Sequence, residues 1–165
     1  MATVTLHGNP FNTNGELPKT GNKSPNFSLV NADLKTVSLE DYAGKRLILN
    51  IFPSIDTPTC ATSVREFNKK ASALTNTKVL CISRDLPFAQ KRFCGAEGIN
   101  NVESLSDFRN GNFSSDFGVE LVDGPLKGLS SRAIVVLDEN QQIIHTELIK
   151  EIGDEPNYDA AIAVL

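Results

Sequence analysis

The run Leu47-Ile48-Leu49-Asn50-Ile51-Phe52 constrains the fold more than any other feature, because a near-continuous apolar stretch reads as a β-strand buried on both faces. Such a strand belongs near the centre of a covered sheet. Between Cys60 and Leu74, the apolar residues Val64, Phe67, Ala71 and Leu74 keep a helical spacing, and Val79-Leu80-Cys81-Ile82 then reads as a second buried strand. Together these form a βαβ unit.

Other segments extend that unit. Phe27-Ser28-Leu29-Val30 reads as a strand, and a helix is expected from about Pro87 through Cys94, ended by Gly95 or Gly98, with a short strand near Val102. Ala133 to Leu137, the turn Asp138-Glu139-Asn140 and Gln142 to Leu148 form a hairpin, after which Pro156 can open a last helix. At the other end, Thr3-Val4-Thr5-Leu6, the turn signal Gly8-Asn9-Pro10 and Phe11-Asn12-Thr13 suggest an exposed N-terminal β-hairpin, an ornament on the main fold. The order of elements predicts an α/β chain with a mixed central sheet flanked by helices, similar to the thioredoxin fold. A chain of 165 residues is expected to form one domain spanning residues 1–165.

A net charge of −4 provides no basic field for phosphate backbones or anionic lipid, which argues against nucleic acid and membranes as partners. The longest purely apolar stretch, Ala133 to Leu137, falls far short of the ~18 residues that cross a bilayer. With neither a basic leader nor an apolar run at its start, the chain is expected in the cytoplasm. The three cysteines form no CxxC pair and lie far in sequence from the two histidines, so no metal site is expected. Any cysteine chemistry must come from individual environments.

The most informative segment is Pro53-Ser54-Ile55-Asp56-Thr57-Pro58-Thr59-Cys60, joining the carboxyl end of a buried strand to a helix, where open α/β sheets place their sites. Thr57 suits the N-cap and Pro58 the first helical position, which puts Cys60 in the first turn. Free N–H donors and aligned peptide dipoles there favour thiolate over thiol. A buried structural cysteine is the commoner fate of this residue type, and Cys81, inside a predicted strand, fits that fate. A strand-initial arginine such as Arg132 is by itself more often a surface ion-pair partner, and Thr57 could be a cap and nothing else.

The pattern of proline, three residues, threonine, two residues and cysteine resembles the active-site signature of the peroxiredoxin family. The wider run Asn50 to Arg65 is similar to the bacterial thiol peroxidase subfamily, whose resolving chemistry is of the atypical two-cysteine kind. Asp85 to Gln90, Arg92 to Gly98, Gly124 to Leu129 and Glu155 to Tyr158 carry the same likeness, which runs from about residue 3 to the end. The resemblance implies that Cys60 attacks hydrogen peroxide or an alkyl hydroperoxide and becomes a sulfenic acid. Pro53 would shield that cysteine, Thr57 would present its hydroxyl both to the sulfur and to a peroxide oxygen and so orient the peroxide, and Arg132 would stabilise the thiolate and the leaving oxygen. Cys94, 34 residues after Cys60, matches the resolving cysteine, so the resemblance implies an intramolecular Cys60–Cys94 disulfide reduced by thioredoxin. It also implies a homodimer and no cofactor.

Other readings compete with that one. A thioredoxin-like oxidoreductase would need a cysteine at position 63, which is Ser63; a cysteine hydrolase would need His7 or His145 in a catalytic setting that neither has. A permanent Cys60–Cys94 staple conflicts with a reducing compartment. A redox sensor using the same disulfide stays open.

Overall fold

The computed structural model describes all residues from Met1 to Leu165. Strand β1 (Thr3–Leu6) pairs antiparallel with β2 (Asn9–Asn12) in a separate two-stranded sheet. The other strands are β3 (Ser28–Val30), β4 (Thr36–Ser38), β5 (Arg46–Ile51), β6 (Thr77–Ser83), β7 (Glu103–Ser106), β8 (Ala133–Leu137) and β9 (Ile143–Leu148). They form one sheet in the order β4-β3-β7-β6-β5-β8-β9. β5, β6 and β7 run parallel, while β8 and β9 extend the sheet antiparallel on one side and β3 and β4 on the other.

The helices are α1 (Pro58–Ala71), α2 (Pro87–Glu97), α3 (Asn112–Asp116) and α4 (Tyr158–Ala163), with a 3-10 turn over Leu39–Tyr42. The strand period of two sorts β5 between two cores. Leu47, Leu49 and Ile51 pack with Phe113 of α3 and Phe117 just after it on one face. On the other, Ile48 packs with Val64 and Phe67 of α1, Phe93 of α2 and Ala161 of α4. This is a thioredoxin-like mixed sheet with helices on both faces, and the βαβ unit is β5-α1-β6.

Several boundaries differ from expectation. α1 stops at Ala71, and Leu74 lies in a tightened turn whose N–H donates to the Ala71 carbonyl at 3.1 Å. α2 runs through Gly95 and ends where Gly98 adopts φ +66°, a left-handed conformation that glycine takes without steric cost. Cys94 therefore lies in its last turn. Pro156 precedes α4 rather than opening it; Asn157 caps that helix by accepting the Ala160 N–H at 3.0 Å. Strand β4 and the short α3 were not anticipated, having too few residues to display a period.

The N-terminal hairpin turns at His7-Gly8, both with positive φ, and Pro10 falls within β2. It is not an ornament. Val4 is fully buried and Phe11 nearly so, packed with Leu121 and Ile152 from distant parts of the chain. Four residues of alternation cannot reveal partners more than a hundred positions away. If the hairpin is part of the core, Phe11→Ala will lower unfolding free energy by about 3 kcal/mol or more in urea titration. A loss within about 0.5 kcal/mol, the usual size for surface positions, would mean that the hairpin only decorates the surface.

Candidate active site

β5 and β8 end side by side, with Ile51 opposite Ala133, so Phe52 and Arg132 sit together at one edge of the sheet. From β5 the chain passes through Pro53 to Thr57 and enters α1. Thr57 stands at the N-cap position with extended dihedrals but its side chain caps no helix N–H, and Pro58 holds the first helical position, as its residue type predicts. The first helical bond runs from the Ala61 N–H to the Thr57 carbonyl at 3.0 Å, so Cys60 stands in the turn whose N–H groups precede helical pairing.

Cys60 is fully buried, and Arg132 beside it is 1% exposed. Arg132 donates from Nη2 to Cys60 Sγ at 3.2 Å and from Nε to the Ile152 carbonyl at 2.9 Å. Its Nη1 is buried without a partner, and the residue lines a cavity of about 450 Å³ beside Pro53 and Thr57. A charged group this deep requires compensation, and the sulfur and the carbonyl provide part of it. The unpaired Nη1 leaves one charged donor available to a ligand.

The carbonyl that fixes Arg132 is itself held in place. Glu151, next to Ile152, accepts the Gly153 N–H at 3.0 Å and the Gly8 N–H at 3.0 Å, which hold its carboxyl below the usual range. It also accepts the Thr5 hydroxyl at 3.1 Å. The N-terminal hairpin is thereby tied to the segment that aims the guanidinium. Thr59 adds a tie from α1, donating its hydroxyl to the Gly153 carbonyl at 2.9 Å.

Thr57 lines the same cavity, but its hydroxyl donates to the Ser54 carbonyl at 2.9 Å rather than to the sulfur. Its oxygen still has lone pairs to accept a hydrogen bond from a ligand. Pro53 is buried at the cavity wall. Ser63 donates to the Cys60 carbonyl at 2.8 Å and receives Asn50 Nδ2 at 3.2 Å, so a hydroxyl occupies the place where a CxxC enzyme would carry its second thiol.

Cys94 is not part of this cluster. It is half-buried on α2, lines a separate cavity of about 400 Å³ with Gln90 and Ser104, and its sulfur lies 3.5 Å from Ser104 Oγ. All three cysteines are free thiols. Cys81 is buried in β6, and burial pushes its thiol up to about 12. No group of three or more His, Cys, Asp and Glu side chains stands close enough to hold a metal, and no helix is long and apolar enough to cross a membrane.

Three contributors to the site were missed in the sequence. The Ile152 carbonyl and the Glu151 knot lie beside the similar block Glu155 to Tyr158, which was the only local hint. Asp85 accepts Ser54 Oγ at 2.7 Å and the Ile55 N–H at 2.7 Å, and it opens the similar block Asp85 to Gln90.

The sequence matches the redoxin family over residues 19–162. It is 54% identical over 165 residues to a thiol peroxidase of Mycobacterium bovis, covering 100% of this chain and 99% of that protein. The structure superposes on a peroxiredoxin-like protein from Aquifex aeolicus with a TM-score of 0.93 and 36% identity, over 99% of this chain and 95% of that one. A thiol peroxidase from Chromobacterium violaceum shares the fold with a TM-score of 0.90 at 23% identity, over 98% and 93% of the two chains.

The raised Cys81 thiol sets an order of reactivity. Above its unfolded value near ~8.5 a free cysteine is mostly thiolate, but folded Cys81 stays protonated until pH approaches about 12. Iodoacetamide at pH 9, followed by peptide mapping, will therefore modify Cys94 and leave Cys81 unmodified until the chain is unfolded. Equal labelling of the two in folded protein would contradict the burial argument.

Proposed function

From the membership of this chain in the redoxin family, as a peroxiredoxin-type thiol peroxidase, we propose that Cys60 is the residue that attacks the hydroperoxide and Cys94 the one that resolves it. The observation that carries the reading is the contact of 3.2 Å between Arg132 Nη2 and Cys60 Sγ, with both groups buried, Nη1 without a partner and Arg132 among the residues that line the cavity. The guanidinium favours the sulfur anion, and its free N–H can hold one peroxide oxygen. The Thr57 oxygen accepts a hydrogen bond from the peroxide O–H while its own hydroxyl hydrogen stays bonded to the Ser54 carbonyl, which orients the O–O bond for in-line attack. Pro53 keeps bulk water from the sulfur.

The sulfur takes the nearer oxygen as the O–O bond breaks, giving a sulfenic acid on Cys60, and the other oxygen leaves as water or an alcohol after taking a proton. Developing charge on that oxygen lies within reach of the Arg132 fork. The Cys94 thiol then attacks the sulfenic sulfur, forming the disulfide and releasing water. A thiol reductant restores both cysteines, and we assign that role to thioredoxin.

In the reduced fold Cys60 is enclosed with Arg132, whereas Cys94 faces a different cavity, so the disulfide requires movement. Disulfide geometry needs Cα atoms within ~7 Å and converging Cβ atoms. Local opening of the α1 start and the α2 end provides this, and Gly98 makes the second end easy to unwind. The same reading takes residues 1–165 as a single domain, working as a homodimer in the cytoplasm.

Two sets of variants test these assignments. Cys94→Ser will reduce about one equivalent of peroxide per chain, accumulate sulfenic acid and fail to turn over with thioredoxin, whereas Cys60→Ser will reduce none. Arg132→Lys keeps charge but loses the planar fork, and will slow the first-turnover reaction about a hundredfold while the chain stays folded. Thr57→Val will also slow it. A folded variant reacting at the wild-type rate removes that residue from the mechanism.

A further inference from the structure

The loop from Pro53 to Thr57 joins no strand partner, yet it carries the threonine beside the cavity and leads directly to Cys60. An exposed ion pair joins Asp56 to Arg92 of α2 at 3.0 Å, and the part-buried side of the loop is held by a carboxylate from outside the cysteine site. Asp85 Oδ1 accepts the Ser54 hydroxyl at 2.7 Å, and Oδ2 accepts the Ile55 N–H at 2.7 Å. Asp85 is itself anchored to the ends of two parallel strands, by its carboxylate to one and by its backbone carbonyl to the other. Ser83 of β6 donates its hydroxyl to Oδ2 at 2.6 Å, and Ser106 of β7 donates its hydroxyl to the Asp85 carbonyl. Gln90 braces that anchor, donating to Ser83 Oγ at 3.1 Å and to the Leu105 carbonyl at 3.0 Å.

The tie continues toward the cavity. The Ser54 carbonyl accepts both the Thr57 N–H at 3.1 Å and the Thr57 hydroxyl at 2.9 Å, so the direction of that hydroxyl depends on where Ser54 is held. Asp85 thus reaches the reacting atoms through the loop, by way of Ser54, Ile55 and Thr57, and not by direct contact. We propose that Asp85 is a positioning residue that fixes the loop for peroxide attack and, by the same two bonds, resists the opening that disulfide formation requires.

These bonds to an ionised carboxylate are stronger than neutral ones. They stabilise the closed loop before attack and must break, or be left behind, when Cys60 moves toward Cys94. One residue therefore acts with opposite sign on consecutive steps. It favours oxidation of the Cys60 thiol by hydroperoxide to the sulfenic acid. It slows condensation of that sulfenic acid with the Cys94 thiol, which forms the S–S bond and releases water. A slower condensation leaves time for a second hydroperoxide to oxidise the sulfenic acid to sulfinic acid, with release of water or alcohol. The inference rests on the Cys60–Cys94 cycle proposed above.

Stopped-flow oxidation of the reduced full-length chain, with mass spectrometry of quenched samples, reads the two steps separately. Asp85→Asn leaves one acceptor oxygen where two served. It will slow sulfenic acid formation about tenfold, speed disulfide formation severalfold, and raise the peroxide concentration that gives half sulfinic acid. Ser54→Ala removes one arm while keeping the carboxylate, so it will shift both rates in the same directions by less, and Ser54→Thr will restore them. Thermal melting of each variant separates this from a general loss of stability. If both rates fall together in proportion to the melting temperature, or neither changes in folded variants, Asp85 is structural and the inference is overturned. If wild type itself forms no Cys60–Cys94 disulfide, the underlying cycle fails instead.

Discussion

The contact between Arg132 and Cys60 is the constraint on which the rest of the site depends. A guanidinium cannot be deprotonated, so burying it commits the fold to surround it with acceptors. The Ile152 carbonyl takes Nε and the Cys60 sulfur takes Nη2. Neither acceptor arrives by itself. The sulfur is presented by the first turn of α1, and the carbonyl by a segment that Glu151 knots to the N-terminal hairpin. The hairpin, which shares a small core with Ile152 and Leu121, thereby becomes part of the support for the arginine.

The topology of the sheet explains why these groups meet. β5 and β6 run parallel, and β8 returns antiparallel beside β5, so the carboxyl end of β5 and the amino end of β8 share an edge. Cys60 emerges after the first of these and Arg132 precedes the second. The adjacent ends of β6 and β7 contribute Ser83 and Ser106, and between them Asp85. The same edge therefore carries the buried Cys60–Arg132 pair and the anchor of the loop that leads to it. Cys94, on the far turn of α2, belongs to a different surface, and in the proposed cycle this separation keeps the two sulfurs apart during attack and requires motion afterwards.

Much of this was legible in residue order. The βαβ unit follows from two apolar runs flanking a helical period, and the place of Cys60 in the first turn follows from Thr57 and Pro58. Gly98 as the helix terminator was one of two named alternatives, and the structure selects it by its positive φ. What could not be read were contacts between residues far apart and made by unremarkable groups. A backbone carbonyl such as that of Ile152 has no sequence signature, and the pairing of Glu151 with Gly8 spans most of the chain. The direction of the Thr57 hydroxyl was also out of reach, because it depends on where the loop places the Ser54 carbonyl relative to the sulfur. The burial of Val4 and Phe11 was missed because a short strand pattern states which residues share a face and not what covers it.

Three thiols in one chain offer three chemical fates, and their surroundings separate them: Cys60 against a buried cation, Cys81 in an apolar strand, and Cys94 half-buried on a helix. The most direct test is to expose the reduced chain to one equivalent of hydrogen peroxide in the presence of dimedone, quench within the first turnover, and map the adduct by mass spectrometry. The account predicts that the first adduct is on Cys60, with none on Cys81 or Cys94. A first adduct on either of those residues would contradict it.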